Sequence, residues 1–500
     1  MDQILTGLEL ILQVQNIAMM IIGLIVGIVI GAIPGLNVPL AVALALPFTF
    51  QLSPLAGLSM LVGIYKGGTY GGSISAILIN VPGTPAAAAT AIDGNVMARQ
   101  GKAGKALKLS IYASIFGELV SDIVLILAAA QIARIALSFG PPEFFALALF
   151  SLTIIGLVSG SGLTRGAIAG ALGVLLSTVG LDPIEGEVRL AFGIYELTGG
   201  LKFIALIIGA FAISEALVQV EKIARNRMIV NVLEFSDRPQ DNQVTMADLK
   251  KVFPSILRGT PLGIFIGAIP GIGSSIAAFL SYGLAKKFSK EPEKFGEGAI
   301  EGVAAAESAN NAVTGSTLIP LLTLGIPGDV ITAIMLGALT VHGLIPGPTL
   351  FQQQGDFITA FFIGMLIVSC LHFVIAIIGL PLFIRAVRVP HGILFPLVVV
   401  FCVTGTLVAT SSLFDVFVML FFGILGYFMV KFGFQIAPLL IGFILGPLVE
   451  VSLRQSLVIS DNSWMIFLTR PVSAIFIILT FIIVAHTIWQ RYKEVSVNEN

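Results

Sequence analysis

Apolar runs of about 20 residues recur along this chain, which is the length that a helix needs to cross a bilayer. Uninterrupted runs predict spans at 107–133, 143–158, 166–180, 201–220, 357–384, 392–409, 413–430, 435–449 and 471–489. Four more apolar runs, at 17–50, 54–98, 259–285 and 296–341, are each interrupted by Pro-Gly. The pattern therefore predicts an all-α polytopic membrane protein of about 12 spans.

Two of the interruptions are near-copies of each other. Gly27–Gly35 reads GIVIGAIPG and Gly263–Gly271 reads GIFIGAIPG, identical at eight of nine positions. The other two also align, Ile79–Gly83 (INVPG) with Leu324–Gly328 (LGIPG). Proline breaks a helix, and broken backbone persists in a bilayer only where protein or a water-filled cavity satisfies it. Duplicated discontinuous helices therefore predict the binding site of a transporter at their meeting point.

The distribution of Lys and Arg predicts how the chain crosses the membrane. Residues 1–65 contain neither, whereas basic residues are concentrated in 99–108, 221–258 and 286–294. Because cytoplasmic loops are enriched in Lys and Arg, we expect the N-terminus outside and the C-terminus in the cytoplasm. The first kinked segment then has external ends and the second is a re-entrant hairpin from the cytoplasm. This predicts two repeats of inverted topology, 1–220 and 259–500, joined by a cytoplasmic linker, 221–258.

Polar residues within the apolar runs indicate the site itself. Glu307, Asn310, Asn311 and Thr314 have i, i+3, i+4, i+7 spacing and share one helix face. Such a face lines a substrate or ion site, or alternatively forms hydrogen bonds between helices. In the first half we expect the glycine-rich stretch Lys66–Ser73 to break its helix and to approach a ligand or a neighbouring helix.

Each half contains a second Pro-Gly, Pro82-Gly83 or Pro327-Gly328, and a short helix begins after it. The N–H groups at the N-terminus of such a helix can bind a carboxylate. Asp329 would repel an anion there and is expected to cap its helix instead. The predicted substrate-binding residues are Lys66, Thr69, Gly71, Gly72, Ser73, Asn80, Pro82, Gly83, Thr84, Asn310, Asn311, Thr314, Pro327 and Gly328. The predicted cation-binding residues are Asn80, Glu307, Asn310, Asn311 and Gly325, with Na⁺ as the only metal ion considered.

Three charged residues in apolar runs remain open to more than one interpretation. Lys66 either binds a substrate carboxylate, or replaces a sodium ion, or forms a structural pair with a nearby acid. Glu118 and Asp122, spaced i, i+4, either form a partner or proton-carrying pair or face solvent near a helix end.

Composition narrows the class of protein. Hydrophobic residues make up 56% of the chain and charged residues 11%, and the net charge is −1. Soluble domains carry about 25% charged residues. No basic cluster interleaved with aromatic residues indicates nucleic-acid binding, and no HExxH or GxSxG motif indicates an enzyme. No cofactor is expected beyond a coupling Na⁺ or H⁺.

Two long blocks carry a family resemblance. YGGSISAILINVPGTPAAAATAIDGNVMARQGKAGKAL (70–107) and ESANNAVTGSTLIPLLTLGIPGDVITAIMLGALTVHGLIPGPTL (307–350) resemble the large membrane subunit of bacterial tripartite tricarboxylate transporters. The resemblance implies an inner-membrane permease of the ion-transporter-superfamily type, which moves as an elevator. It also implies partners, namely a small membrane subunit of about four spans and an extracytoplasmic solute-binding protein. The expected activity is import of a carboxylate such as citrate, driven by Na⁺ or H⁺.

Two other kinds of protein fit the same apolar pattern. A passive organic-anion channel would not accumulate its solute against a gradient. A structural membrane scaffold would have no use for the buried polar face around Glu307, which is costly in lipid. We therefore favour the carrier.

Overall fold

Helices form most of the structure, because long apolar runs satisfy their backbone in lipid when they are helical. The computed structural model describes residues 2–158, 163–224, 238–389 and 391–498. Its first-half helices are α1 (Asp2–Ile11), α2 (Val14–Ala32), α3 (Val38–Thr49), α4 (Pro54–Ile79), α5 (Ala87–Arg99), α6 (Ala103–Ala136), α7 (Pro141–Val158), α8 (Leu163–Ser177), α9 (Phe203–Ile207) and α10 (Ser214–Ala224).

The second half continues in the same way. Its helices are α11 (Met246–Gly267), α12 (Gly273–Phe288), α13 (Ile300–Ser316), α14 (Leu318–Leu324), α15 (Val330–Val341), α16 (Pro348–Gln353), α17 (Gly355–Ala386), α18 (His391–Thr410), α19 (Leu413–Lys431), α20 (Ile436–Ile459), α21 (Ile466–Thr469) and α22 (Pro471–Asn498). A π-helical segment, Ile208–Ile213, joins α9 to α10, and short 3-10 turns occur at Tyr195–Gly199, Pro239–Asn242 and Pro292–Lys294.

The long apolar helices confirm a multi-pass membrane protein. Within the described residues, seven helices are long and apolar enough to cross a bilayer, and shorter apolar helices accompany them. Part of the predicted linker, residues 225–237, lies outside the described residues. The remainder contains the start of α11 at Met246, where Thr245 and Asp248 form a reciprocal capping box.

Each predicted Pro-Gly interruption separates two helices. The interruptions lie between α2 and α3, α4 and α5, α11 and α12, and α14 and α15. Gly35 and Gly271 have φ of +83° and +87°, and Asn80 and Gly325 have φ of 57° and 70°. The freed backbone groups find partners within the protein. Gly271 N–H donates to the Gly328 carbonyl at 2.7 Å, and the Gly35 carbonyl accepts from Gln219 at 3.1 Å.

The expected break at Lys66–Ser73 is wrong, because α4 continues without interruption to Ile79. Its glycines instead allow close packing on α2. A Cβ at Gly67 would lie 2.6 Å from the Leu24 carbonyl oxygen, and a Cβ at Gly71 would lie 2.5 Å from that of Ile28. Small residues that bring backbones together are the usual device of helix packing in membranes. Of the two roles weighed for these glycines, approach to a neighbouring helix is the one observed.

Three groups of helices pack around the kinks. Helix α4 packs against α2, α3 and α17, and α13 packs against α6, α11 and α12. Helix α20 packs against α7 and α8, and α7 also packs against α22. An antiparallel pair of two-residue strands, β1 (Gly180–Leu181) and β2 (Val188–Arg189), lies in the loop predicted to be external.

Candidate substrate cavity and buried carboxylate

A cavity of about 430 Å³ lies where the two kinked segments meet. Most of its lining residues come from the first turns of helices. They are Asn37, Val38 and Pro39 before and within α3, Thr84 and Pro85 before α5, Gly271–Ile276 around the start of α12, Asp329–Ile331 at α15, Gln435, Ala437 and Ile441 at α20, and Tyr65, Thr69, Ile155 and Asn310 from helix interiors. Because helix N-termini present N–H groups and partial positive charge, this convergence favours an anion.

The N-termini differ in whether a side chain already occupies them. Asn37 accepts from Leu40 N–H at 2.9 Å, and Asp329 accepts from Thr332 N–H at 2.8 Å. Thr84 accepts from Ala87 N–H at 3.2 Å. No side chain caps α12, which begins at Gly273 with a φ of +74° and continues into Ser274 and Ser275. The start of α12 and the start of α20 at Gln435, which also has no side-chain cap, are therefore where the cavity offers main-chain donors to a carboxylate.

Asn310 provides independent evidence for a ligand at this place. Its side chain lines the cavity from α13 and is fully buried. Neither its Oδ1 nor its Nδ2 has a hydrogen-bond partner. A buried amide without partners costs roughly 1–3 kcal/mol, so its retention requires an explanation. A solute that accepts from Nδ2 and supplies a donor or cation to Oδ1 would satisfy both atoms.

The cavity contains an acid and no basic side chain among the described lining residues. Asp329 is that acid, and its Oδ2 accepts from the Tyr65 hydroxyl at 2.5 Å. An anion in this cavity would therefore be held by main-chain and neutral donors, with a negative charge nearby. This arrangement favours the binding of a cation together with the anion.

Glu307 lies on α13 one turn before Asn310 and does not line the cavity. It is fully buried, and its carboxylate accepts from Ser73 at 2.5 Å, from Ser114 at 3.0 Å, from Asn311 Nδ2 at 3.3 Å and from Thr90. Asn311 Oδ1 has no partner. Na⁺ binds hydroxyl, amide and carboxylate oxygens. The Glu307 carboxylate, however, already accepts hydrogen bonds from these side chains.

The cavity contains some of the predicted substrate-binding residues and not others. Thr69, Thr84 and Asn310 line it. Ser73 and Asn311 donate to Glu307 instead. Thr314 is buried on the same face of α13. Asn80 and Gly325 are positive-φ caps, whereas Gly71 and Gly72 pack α4 against its neighbours. Pro82, Gly83, Pro327 and Gly328 form the interruptions that bring α5 and α15 to the cavity.

Lys66 does not line the cavity. Its ammonium lies 2.5 Å from Asp122 and donates to Ser369 at 2.7 Å, with all three side chains buried. The structural-pair interpretation of Lys66 is therefore the one that the contacts support, and Glu118 and Asp122 are buried rather than facing solvent.

Sequence reasoning missed Tyr65, Asn37 and Gly273–Ser275 as lining residues. The repeat itself carried a signal for two of them. The 236-residue offset that aligns Gly35 with Gly271 also aligns Asn37 with Gly273. The first copy therefore has a residue type that caps helices where the second copy has glycine. This difference is visible in the amino-acid sequence alone.

Comparisons with known proteins identify the family of this chain. Residues 17–441 match the model of the tripartite tricarboxylate transporter TctA family. An uncharacterized 52.8 kDa protein of the TAR-I ttuC' 3' region of Agrobacterium vitis is 38% identical over 473 residues, covering 94% of this chain and 92% of that protein. A second uncharacterized protein, of the TAR-II ttuC' 3' region of the same organism, is 40% identical over 212 residues, covering 42% of this chain and 88% of that protein. No solved structure matches this chain. With its family model matched over most of its length, the chain belongs to the tripartite tricarboxylate transporter TctA family.

Proposed function

We propose that this protein is the permease subunit of a binding-protein-dependent secondary transporter that imports a carboxylate with Na⁺ or H⁺. One observation carries the proposal: the uncapped start of α12 and the unpartnered amide of Asn310 line one cavity between the two kinks. The carboxylate accepts from the N–H groups and hydroxyls of Ser274 and Ser275. Asn310 fixes its orientation.

The two halves act as inverted repeats around that cavity. Four backbone positions support this assignment, because Gly35 and Gly271 share one positive φ and Asn80 and Gly325 share another. The basic loops at 99–108 and 286–294 support opposite insertion of the halves. Alternating access then follows from motion of one module against a scaffold.

The moving module includes α6 and α17. Helices α6 and α17 share buried polar contacts with α4 through Lys66, Asp122 and Ser369. Breaking those contacts in lipid would expose charge, so these helices travel with α4. The scaffold consists of α7, α8, α20 and α22, which pack on one another.

The partners and placement follow from membership of the family. A small membrane subunit of about four spans and an extracytoplasmic binding protein complete the transporter in the bacterial inner membrane. The binding protein docks on the external face and delivers the carboxylate to the cavity. We assign the N-terminus to that face and the C-terminus to the cytoplasm, on the positive-inside bias.

Reconstitution tests this function directly. Proteoliposomes that contain the chain and both partner subunits receive a panel of labelled di- and tricarboxylates, beginning with citrate, under imposed Na⁺ or proton gradients. We expect at least one carboxylate to accumulate above its external concentration. Asn310→Ala should reduce that uptake more than tenfold, whereas Gln352→Ala, which removes an exposed amide on α16, should not. Uptake that only equilibrates would identify a channel instead, and normal accumulation by Asn310→Ala would refute the cavity assignment.

A further inference from the structure

A second buried polar cluster lies on a different face of α4 from the cavity. Lys66 pairs with Asp122, and Ser369 donates to Asp122 at 2.8 Å. One turn further along α17, His372 Nδ1 lies 3.1 Å and 3.2 Å from the two oxygens of Glu118. The four ionisable side chains of this cluster, Lys66, Glu118, Asp122 and His372, are at most 1% exposed.

The charges of the cluster balance only with one additional proton. The cluster contains two carboxylates, Glu118 and Asp122, and the positive charge of Lys66 compensates the negative charge of only one of them. With neutral His372 the cluster therefore has a net charge of −1, and a proton shared by His372 and Glu118 brings it to zero. Because an uncompensated charge buried in lipid costs several kcal/mol or more, the protonated state is favoured. The unpartnered His372 Nε2 leaves one ring nitrogen open for proton entry or release.

A metal ion is a poor alternative at this place. The Lys66 ammonium already lies against Asp122, at the position that a cation would take. Tyr70 covers the imidazole, with ring centroids 5.6 Å apart, and its buried hydroxyl has no partner. The cluster therefore has the composition of a proton site rather than a sodium site.

Other ionisable groups on the surrounding helices do not complete this charge balance. Helices α2, α14 and α16 contain none. On α13, Glu307 has its own donors, and Glu301 lies near Lys251 of α11. Near the same end of the molecule, Asp248 of α11 pairs with Lys105 of α6, and Asp93 of α5 accepts from the backbone of Gly296.

The remaining charged side chains that the structure describes on these helices are exposed, apart from Lys108, which is half-buried and donates to the Asn242 carbonyl. They are Glu9 on α1, Arg99 on α5, Lys108 and Arg134 on α6, Lys250 and Arg258 on α11, and Asp356 and Arg385 on α17.

We propose that the His372–Glu118 pair carries the proton that drives carboxylate import. This inference rests on the proposed function and specifies its coupling ion. The pair takes a proton from the outside when the carboxylate enters the cavity and releases it to the cytoplasm after the module moves. Helix α4 links the two sites, because Tyr65 and Thr69 line the cavity and their neighbours Lys66 and Tyr70 contact the cluster.

Two transport modes separate proton coupling from carboxylate binding. Exchange of labelled for unlabelled carboxylate requires the cavity but no net proton movement. Accumulation driven by a pH gradient, with a pyranine signal for proton entry and no Na⁺ present, requires the proton site. The carboxylate is the one that accumulates in the panel described above. We compare the wild type with Glu118→Gln, His372→Gln and the exposed control Glu9→Gln.

We expect wild type and Glu9→Gln to show pH-driven accumulation together with proton entry. At least one of Glu118→Gln and His372→Gln should retain exchange within about twofold while losing more than tenfold of the pH-driven accumulation. Three results would overturn the proposal: wild-type accumulation that requires Na⁺ and moves no protons, normal pH-driven accumulation by both variants, or loss of exchange in both, which assigns the pair a structural role. In each of these cases wild-type exchange still supports the proposed function, which fails separately if the wild type transports no carboxylate.

Discussion

The hydroxyl of Tyr65 donates to Asp329 across 264 residues of sequence, with 2.5 Å between Oη and Oδ2. This bond joins the middle of α4 to the N-terminus of α15 at the cavity wall. Asp329 also caps α15 through its other oxygen, so both carboxylate oxygens have donors. The only acid among the described lining residues is thus held in place rather than left to contact a ligand, and it influences a bound anion through its charge.

Replacing Asp329 by Asn tests that influence. The amide keeps an acceptor for Thr332 N–H and a group that bonds the Tyr65 hydroxyl, so the fold should persist. Removing a negative charge about 4 Å from a bound carboxylate is worth roughly 1–4 kcal/mol, between the limits of bulk water and a protein surface. We expect the KM for carboxylate uptake to fall about tenfold. A KM unchanged in the Asn variant, with exposed Asp356→Asn as the control, would contradict a charged Asp329 beside the substrate.

The amino-acid sequence predicts the four Pro-Gly helix breaks, but it does not predict how the helices around them pack. Pro-Gly ends a helix through its own backbone chemistry, so all four breaks were predictable from local sequence. The glycines of α4 have no such local effect. Whether Gly67 breaks a helix or packs against one depends on α2, and the sequence does not state that α2 lies alongside.

The same distinction separates the predicted from the missed site residues. The buried face around Asn310 followed from helical periodicity. The pairing of Lys66 with Asp122 and Ser369 did not, because these residues lie on three helices whose packing no local pattern specifies. The start of α12 was missed because Gly273–Ser275 has no charged or amide side chain, and its N–H groups become notable only next to a cavity.

The second kink should tolerate no side chain at Gly271. Its φ of +87° costs an L-residue roughly 1–2 kcal/mol, and a Cβ would overlap the side chain of Ile155. We expect Gly271→Ala to lower the thermal unfolding midpoint in detergent and to reduce uptake. Gly283→Ala, on the same hairpin, meets no atom within 4 Å and should leave the midpoint unchanged or raise it, because alanine favours helix by about 1 kcal/mol. Equal midpoints for the two variants would refute the importance of this kink.

Lys66 should matter for folding before it matters for transport. Lys66→Met leaves Asp122 buried without its cation, and breaking a buried pair in this way costs roughly 3–5 kcal/mol. We expect the variant to aggregate on size-exclusion chromatography after mild heating. The double variant Lys66→Met with Asp122→Asn removes both charges and should recover much of the lost stability. If Lys66→Met is as stable as the wild type and loses only carboxylate affinity, the substrate-binding role becomes the better interpretation.

The predicted external loop should loosen in acid through one carboxylate. Asp182 accepts from the N–H groups of Glu185 and Ile184 and from Arg454, and these bonds lower its pKa to about 2. Because the folded pKa lies below the ordinary value of about 3.9, the stabilisation is complete above that value and is lost as the pH falls toward 2.

Hydrogen exchange of the loop, corrected for intrinsic rates, should show wild-type protection declining between about pH 4 and pH 2. Asp182→Asn should be poorly protected even at neutral pH, whereas Glu187→Gln, at an exposed position, should resemble the wild type. Full protection in Asp182→Asn at neutral pH would show that the strand pair and Arg189–Glu450 hold the loop without this carboxylate.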